Sequence, residues 1–297
     1  MSKAQAKRDA RQAARELAAK QRRAEQRRKR LIGAAAAVGA VVLVIGILVG
    51  VKLSAPAKKN TNVGSAPAAA SLVSSVTNVS PTVLDQAGKG AVDSPPQATS
   101  GQPVLKGADG KPVVFYMGAE YCPYCAAERW PMIVALSRFG TFQNLSTTSS
   151  SSTDTFPNTP TFTFHGASYT SQYIDFQPKE IQSEAGVALE TLTSDQQKLV
   201  QQFDPPSPGT TGNPFPFIDF GNQAIASGAS YNPQLLAGMT QQQVADALRN
   251  PNSDIAKAIL GTANAFTNEI CKLTNGQPGN VCSSAAATAY GPAGGQG

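Results

Sequence analysis

The chain has 297 residues, enough for one full domain with extensions, and a formal net charge of +6. That charge is concentrated, because residues 1–30 hold twelve Lys and Arg against Asp9, Glu16 and Glu25, and everything after them is net negative. A basic nucleic-acid surface is thereby excluded for the body of the protein, and no nucleic-acid partner is expected.

In chain order, residues 1–30 read as a basic arm and Leu31 to Val51 follows as a run of 21 residues without a charge. At 1.5 Å per residue such a helix crosses a hydrocarbon core of roughly 30 Å, so 31–51 predicts one transmembrane helix. The positive-inside rule then places the arm in the cytoplasm and the rest outside, as a single-pass, membrane-anchored protein. A cleaved signal peptide is the alternative, with Ala55-Pro56-Ala57 as a small-x-small site. Signal h-regions usually run about 7–15 residues, which favours an uncleaved anchor here. Residues 52–100 are rich in Ala, Pro and Ser and predict a tether, with a short helix over Ser80–Gly90 that has Pro81 near its first position. All four cysteines lie beyond the anchor, in a compartment where disulfides persist.

Residues 101–282 read as the folded domain. The run Pro112–Met117 is apolar and β-branched and predicts a buried strand, and Ala126–Leu136 predicts a helix with Trp130, Ile133 and Leu136 on one face. Between them stands Cys122-Pro123-Tyr124-Cys125. A cysteine at a helix start meets unpaired N–H groups and the positive end of the dipole, which favour the thiolate, and only the thiolate attacks a disulfide. Cys122 is therefore the expected nucleophile and Cys125 the resolving thiol, with Pro123, Tyr124 and Glu120 tuning the redox chemistry. Cys-x-x-Cys is also half of a zinc site, but Cys271 and Cys282 are too far apart for a second knuckle, and His165 is the lone histidine. The spacing favours the redox reading, and no metal or other cofactor is expected.

Farther on, Thr147–Thr155 is a polar low-complexity run expected to be mobile. Thr161–Phe164 and Tyr173–Phe176 alternate as strands, and 179–203 is compatible with helical segments. Residues 204–213 form a Pro- and Gly-rich loop. Phe217–Phe220, the turn Gly221-Asn222 and 223–226 predict a hairpin. Helices follow over Thr240–Leu248 and Ser253–Leu273, each opened by a hydroxyl cap, and residues 283–297 are expected to be a disordered tail. Trp130 is expected in the core and His165 in a turn. Cys271 and Cys282 bracket a loop containing Asn275-Gly276 and Pro278-Gly279, which reads as a structural disulfide, with a second redox relay as the alternative.

Ala119-Glu120-Tyr121-Cys122-Pro123-Tyr124-Cys125 resembles the thioredoxin active site, and its Pro-Tyr dipeptide the glutaredoxin version. The wider segment 118–142 resembles the signature of an uncharacterised membrane-associated family, domain of unknown function 929. The thioredoxin resemblance implies an α/β fold, a central mixed sheet flanked by helices, with a helical or loop insertion at about 141–213. It also implies a cis-proline facing the dithiol. Pro160 and Pro216 compete for that place, and the hairpin and helix after Pro216 favour it. One departure stands out: the buried acid found six positions before the first cysteine is Tyr116 here, so proton assistance would fall to Glu120 or Glu128. The function so implied is a membrane-tethered, extracytoplasmic thiol–disulfide oxidoreductase. Its partners would be exported proteins with thiols or disulfides and a membrane redox protein that recycles the dithiol. A non-enzymatic binding module and a copper or zinc carrier are the alternatives.

Overall fold

The sheet at the centre is built around β3, Val113–Gly118, in which every residue is buried. The structure, a computed structural model, describes residues 65–206 and 214–293. The chain divides into two units, residues 1–61 and 62–297, and the described residues all belong to the second. The basic arm and the apolar run Leu31–Val51 lie outside them. Among the described residues no helix is long and apolar enough to cross a membrane.

β3 pairs in parallel with β8 (Asp175–Glu180) on one side and antiparallel with β9 (Phe217–Phe220) on the other. β9 turns back into β10 (Ala224–Ser227), and β10 pairs with the short β2 (Gln97–Ala98), giving a five-stranded mixed sheet of order β2-β10-β9-β3-β8. Alternation along β3 divides its side chains between two layers. Val114 and Tyr116, with Ile218 and Phe220 of β9, join the larger core. Val113, Phe115, Met117 and Phe217 pack on the other face against Leu199 and Val200. Both faces are therefore covered, which is why the run reads as continuously apolar rather than alternating.

Two helices matter most on the larger face. Helix α3 (Pro123–Leu136) opens with Pro123 at its first turn and is buried almost throughout. Trp130 is fully buried on it, donating its indole N–H to the Pro160 carbonyl at 2.9 Å and meeting Phe162 edge-on at 5.0 Å. The 20-residue helix α6 (Asp254–Leu273) starts at the Ser253 cap and packs along α3. Between them in sequence lie α4 (Ser194–Phe203), which covers the other face, and α5 (Gln241–Ala247), capped by Thr240. The hairpin and the two hydroxyl-capped helices thus stand where the local sequence signals put them.

Four regions differ from the sequence expectation. Residues 65–100, where composition suggested a tether, bury Leu72 and Val76 on α1 (Ala70–Thr77) and Leu84 on α2 (Pro81–Ala87), the latter within the short helix expected over 80–90. The Asn264 amide of α6 donates to the carbonyls of Leu84 and Gly88, satisfying the end of α2. Gly90 approaches α6 so closely that a Cβ there would overlap the Lys257 carbonyl. The polar run at 147–155 is partly a strand: β5 (Ser146–Ser149) pairs with β1 (Ala66–Pro67) and with β6 (Pro160–Thr163). Its hydroxyl chemistry closes locally, since Ser150 Oγ donates to the Phe156 carbonyl and accepts from the Thr159 N–H.

The region expected as a helical or loop insertion, about 141–213, is mainly extended, with Ser194–Phe203 as its α-helix among the described residues. It adds the ribbon β4 (Gly140–Gln143) with β7 (Ser168–Ser171), and β8 within 141–213 belongs to the central sheet itself. Of the helical segments expected over 179–203, only Ser194–Phe203 forms. Beyond residue 283 the chain continues into α8 (Ala285–Thr288), after a short α7 (Gly279–Cys282), and buries Ala286 and Ala287. Asn268 of α6 donates to the carbonyls of Ala287 and Gly291, and Asp85 of α2 accepts from the Ala286 N–H at 2.7 Å. Small, weakly apolar segments become ordered here because amide side chains on α6 satisfy their backbone ends.

Candidate redox site

The turn Ala119–Tyr121 carries the chain from the end of β3 into α3 and leaves Cys122 as the helix cap. The Cys122 N–H donates to the Ala119 carbonyl at 3.2 Å, and Cys122 Sγ accepts the Cys125 N–H at 3.2 Å. The sulfur thus occupies the place a serine or aspartate oxygen takes in an ordinary N-cap. Both dithiol cysteines are free thiols, Cys122 6% exposed and Cys125 fully buried. Cys122 is the more accessible of the two, but it is less open than a helix-start position suggests.

The neighbouring Cys125 thiol does most to hold Cys122 below the ordinary thiol range. The Cys125 amide and the Arg129 guanidinium act in the same direction, against the effect of burial. Burial pushes Cys125 well above its usual value, and the neighbouring Cys122 thiol adds to this. The pair is therefore polarised, with one sulfur prepared to carry charge and the other to keep its proton.

Ala119, Cys122 and Cys125 form a small cluster of their own, against which Tyr121, Ile181 and Phe215 pack. The Phe215–Pro216 peptide is cis, so Pro216 enters β9 beside the residue that touches the dithiol cluster. Pro123 occupies the first turn of α3. Tyr124 is 40% exposed and meets Phe156 edge-on at 5.7 Å. Phe156 belongs to the 150–159 loop, which is joined to the turn by a bond from the Ser151 N–H to the Tyr121 carbonyl. The rim of the site is thus aromatic. A cleft of about 870 Å³ lies elsewhere, lined by Lys106, Tyr173 and Lys272 among others and by neither dithiol cysteine.

Beneath the dithiol is a group of buried polar side chains. Arg129 donates from Nε and Nη2 to the two Glu180 oxygens, both at 2.7 Å, and from Nη2 to the Ala119 carbonyl at 2.9 Å. Burial pulls Arg129 down, but the Glu180 carboxylate more than offsets it, and the guanidinium stays charged. Burial raises Glu180 above the usual carboxylate value against the pull of Arg129. Tyr116 is fully buried, and its hydroxyl sits where a Cβ on Gly118 would overlap it. Glu120 is also buried, with no hydrogen-bond partner for its Oε1 among the described residues.

Glu128, the other acid considered for proton assistance, is committed to Ser230, whose hydroxyl and amide donate to its two oxygens at 2.6 and 2.9 Å. Burial lifts it to about 7, although those two bonds oppose the shift. The sequence pattern does not single out Arg129 or Glu180. The available signal is spacing: Arg129 follows Cys125 by four residues, which places it on the same side of the helix one turn along.

The second cysteine pair is chemically different. Cys271, near the end of α6, and Cys282, in α7, are joined by a disulfide with a Cα–Cα distance of 5.5 Å and a sequence separation of 11. Both sulfurs belong to the main core rather than to the dithiol cluster. His165 lies after β6 with its Nδ1 3.4 Å from Glu190, and no group of three or more His, Cys, Asp or Glu among the described residues is placed to hold a metal.

Fold and site together define a mixed α/β domain that carries a polarised Cys-x-x-Cys dithiol at a strand–helix junction. The chain belongs to the family described as domain of unknown function (DUF929), whose model matches residues 105–272. No match was found among curated proteins, and none among solved structures.

Proposed function

We propose that this protein is a membrane-tethered, extracytoplasmic thiol–disulfide oxidoreductase with a thioredoxin-like fold, acting on exported proteins. The observation that carries the reading is the position of Cys122 Sγ at the helix cap, where it accepts the Cys125 N–H while the buried Cys125 keeps its proton. The order β10-β9-β3-β8, with β8 parallel to β3, β9 antiparallel and a cis-proline entering β9, is the order that a thioredoxin-like reading requires. The aromatic rim and the absence of the dithiol from the 870 Å³ cleft favour a macromolecular disulfide met at the surface.

In the reducing direction, the Cys122 thiolate attacks one sulfur of a substrate disulfide. A Cys122–substrate disulfide forms and the other substrate sulfur leaves as a thiolate, which takes up a proton. Cys125 then loses its proton and attacks Cys122 Sγ. The second substrate thiolate leaves, and two electrons have passed from the dithiol to the substrate. Run backwards, the same steps donate a disulfide, and a membrane redox partner restores the starting state in either case.

Trapping tests the reading. In cells, full-length Cys125→Ser should accumulate mixed disulfides with exported proteins on non-reducing gels, and Cys122→Ser should not. Adducts on Cys122→Ser alone would reverse the roles. Adducts on neither, with a wild-type chain inert toward a model disulfide, would favour the binding-module reading. For topology, protease added to intact cells should remove the folded domain and spare the basic arm. A soluble protein beginning near Lys58 would overturn the anchor.

A further inference from the structure

We propose that Arg129 is a positioning residue for the dithiol and Glu180 its counterweight: the guanidinium braces the turn under Cys122 and presents positive charge to the exchanging sulfurs, and the carboxylate limits that charge. The proposal rests on the reading of Cys122 as the attacking sulfur.

The bracing is visible in one carbonyl. Ala119 O accepts both the Cys122 N–H at 3.2 Å and Arg129 Nη2 at 2.9 Å, so the charge is tied to the peptide that seats the nucleophile. Glu180 closes β8 in register with Gly118 of β3, and the next residue, Ile181, donates its N–H to the Gly118 carbonyl at 2.8 Å. The Glu180 N–H is held by Glu190 Oε2 at 2.7 Å, so the sheet fixes the residue from its backbone. A single ion pair therefore links helix, turn and sheet at the point where Cys122 must stay in place while its bonding changes.

The charge acts from the same geometry, which holds the guanidinium on the carbonyl that also takes the Cys122 N–H. Among the groups acting on the two thiols, Tyr116 from β3 is kept neutral by burial, and the thiols act on each other. Glu120 and Tyr121 stand on the turn, and Asp154 acts on Tyr121 from the loop. Glu180 and Glu190 come from the β8 side, and His165 faces Glu190. Arg129 is the cation acting on both sulfurs among the described residues, and its Nη1 has no hydrogen-bond partner there. A buried ion pair is a poor way to gain stability, because desolvating two charges consumes most of their attraction. A pair kept under a redox dithiol is better explained by what it does to sulfur charge.

The test measures the alkylation rate of Cys122 by iodoacetamide against pH in the reduced full-length chain, with the labelled peptide identified by mass spectrometry. The neutral pair Arg129→Gln/Glu180→Gln should move the midpoint up by about one pH unit, reducing the thiolate fraction near neutrality about tenfold. Arg129→Met/Glu180→Met is a second neutral pair with the same expectation should the first fail to fold. Arg129→Lys keeps the charge and loses the fork, so its midpoint should stay within a few tenths of the wild type. A folded neutral pair with an unchanged midpoint, or a lysine variant shifted as far as the neutral pair, overturns the proposal. A midpoint that moves as expected in a chain unable to exchange any disulfide sustains the proposal and overturns the oxidoreductase reading instead.

Discussion

The two cysteine pairs place the same chemical group in opposite circumstances. Cys122 and Cys125 are three residues apart across a helix start, are both free, and sit in a small cluster rimmed by half-buried aromatic rings. Cys271 and Cys282 are joined, eleven residues apart, and lie within the main apolar core. At the first pair an amide N–H, a neighbouring thiol and a buried guanidinium all favour charge on one sulfur. At the second, the bond ties the end of α6 to α7, from which the chain continues into the buried α8. Thiol reactivity depends on the donors around a sulfur, whereas cross-link stability depends on the chain a bond closes.

The largest expected effect removes the polarised sulfur. Cys122→Ala should reduce exchange with a peptide disulfide to background while leaving the melting temperature within a few degrees, as read by steady-state assay and circular dichroism. Retained turnover would mean that the second pair can react on its own, and the contrast between them would fail.

Next in size, Cys271→Ser/Cys282→Ser should cost about 3 kcal/mol of stability for a loop of this length, measured by denaturant titration. Turnover per folded molecule should be unchanged. A loss of turnover comparable with Cys122→Ala would instead make the second pair a relay.

Glu128 separates the dithiol helix from its thiols. Its carboxyl is lifted by burial to about 7 from an ordinary value of 4.5, so the fold binds this proton more tightly than the unfolded chain does. Its contribution to stability is complete below 4.5 and is lost as pH rises toward 7, by up to about 3 kcal/mol. Glu128→Gln, which keeps an acceptor for the Ser230 N–H and can donate to a turned Ser230 hydroxyl, should flatten that decline in thermal melts across the interval. The alkylation midpoint of Cys122 should not follow it. A midpoint that tracks Glu128 would show the thiols to be governed by this acid rather than by their immediate donors.

The smallest effect concerns the rim. Phe156→Ala removes an edge-on contact with the half-exposed Tyr124 and should lower stability by about 1 kcal/mol. Its larger consequence should be a raised KM for protein disulfides with little change for a small-molecule disulfide. Equal effects on both substrates would remove the rim from the account of recognition.

Much of this was legible along the chain. The apolar run of β3, the proline-containing tetrad, the turn Gly221-Asn222 and the caps Thr240 and Ser253 act over a few residues, and each element forms where that chemistry puts it. The spacing of Cys271 and Cys282 marked a closed loop, and the structure joins them. Local hydrogen bonding, capping and run length are written within a turn or two of chain, so a short window contains their causes. Only the tertiary structure decided that polar Ser146–Ser149 is a strand, that Ala70–Thr77 and Ala285–Thr288 are packed helices, and that β8 lies beside β3. These elements are weakly apolar and take their partners from distant segments, as when Asn264 reaches Leu84. The Arg129–Glu180 pair belongs with them, since it joins residues 51 apart across a helix and a sheet. Its charges are tolerable in the interior only because that long-range geometry brings them together.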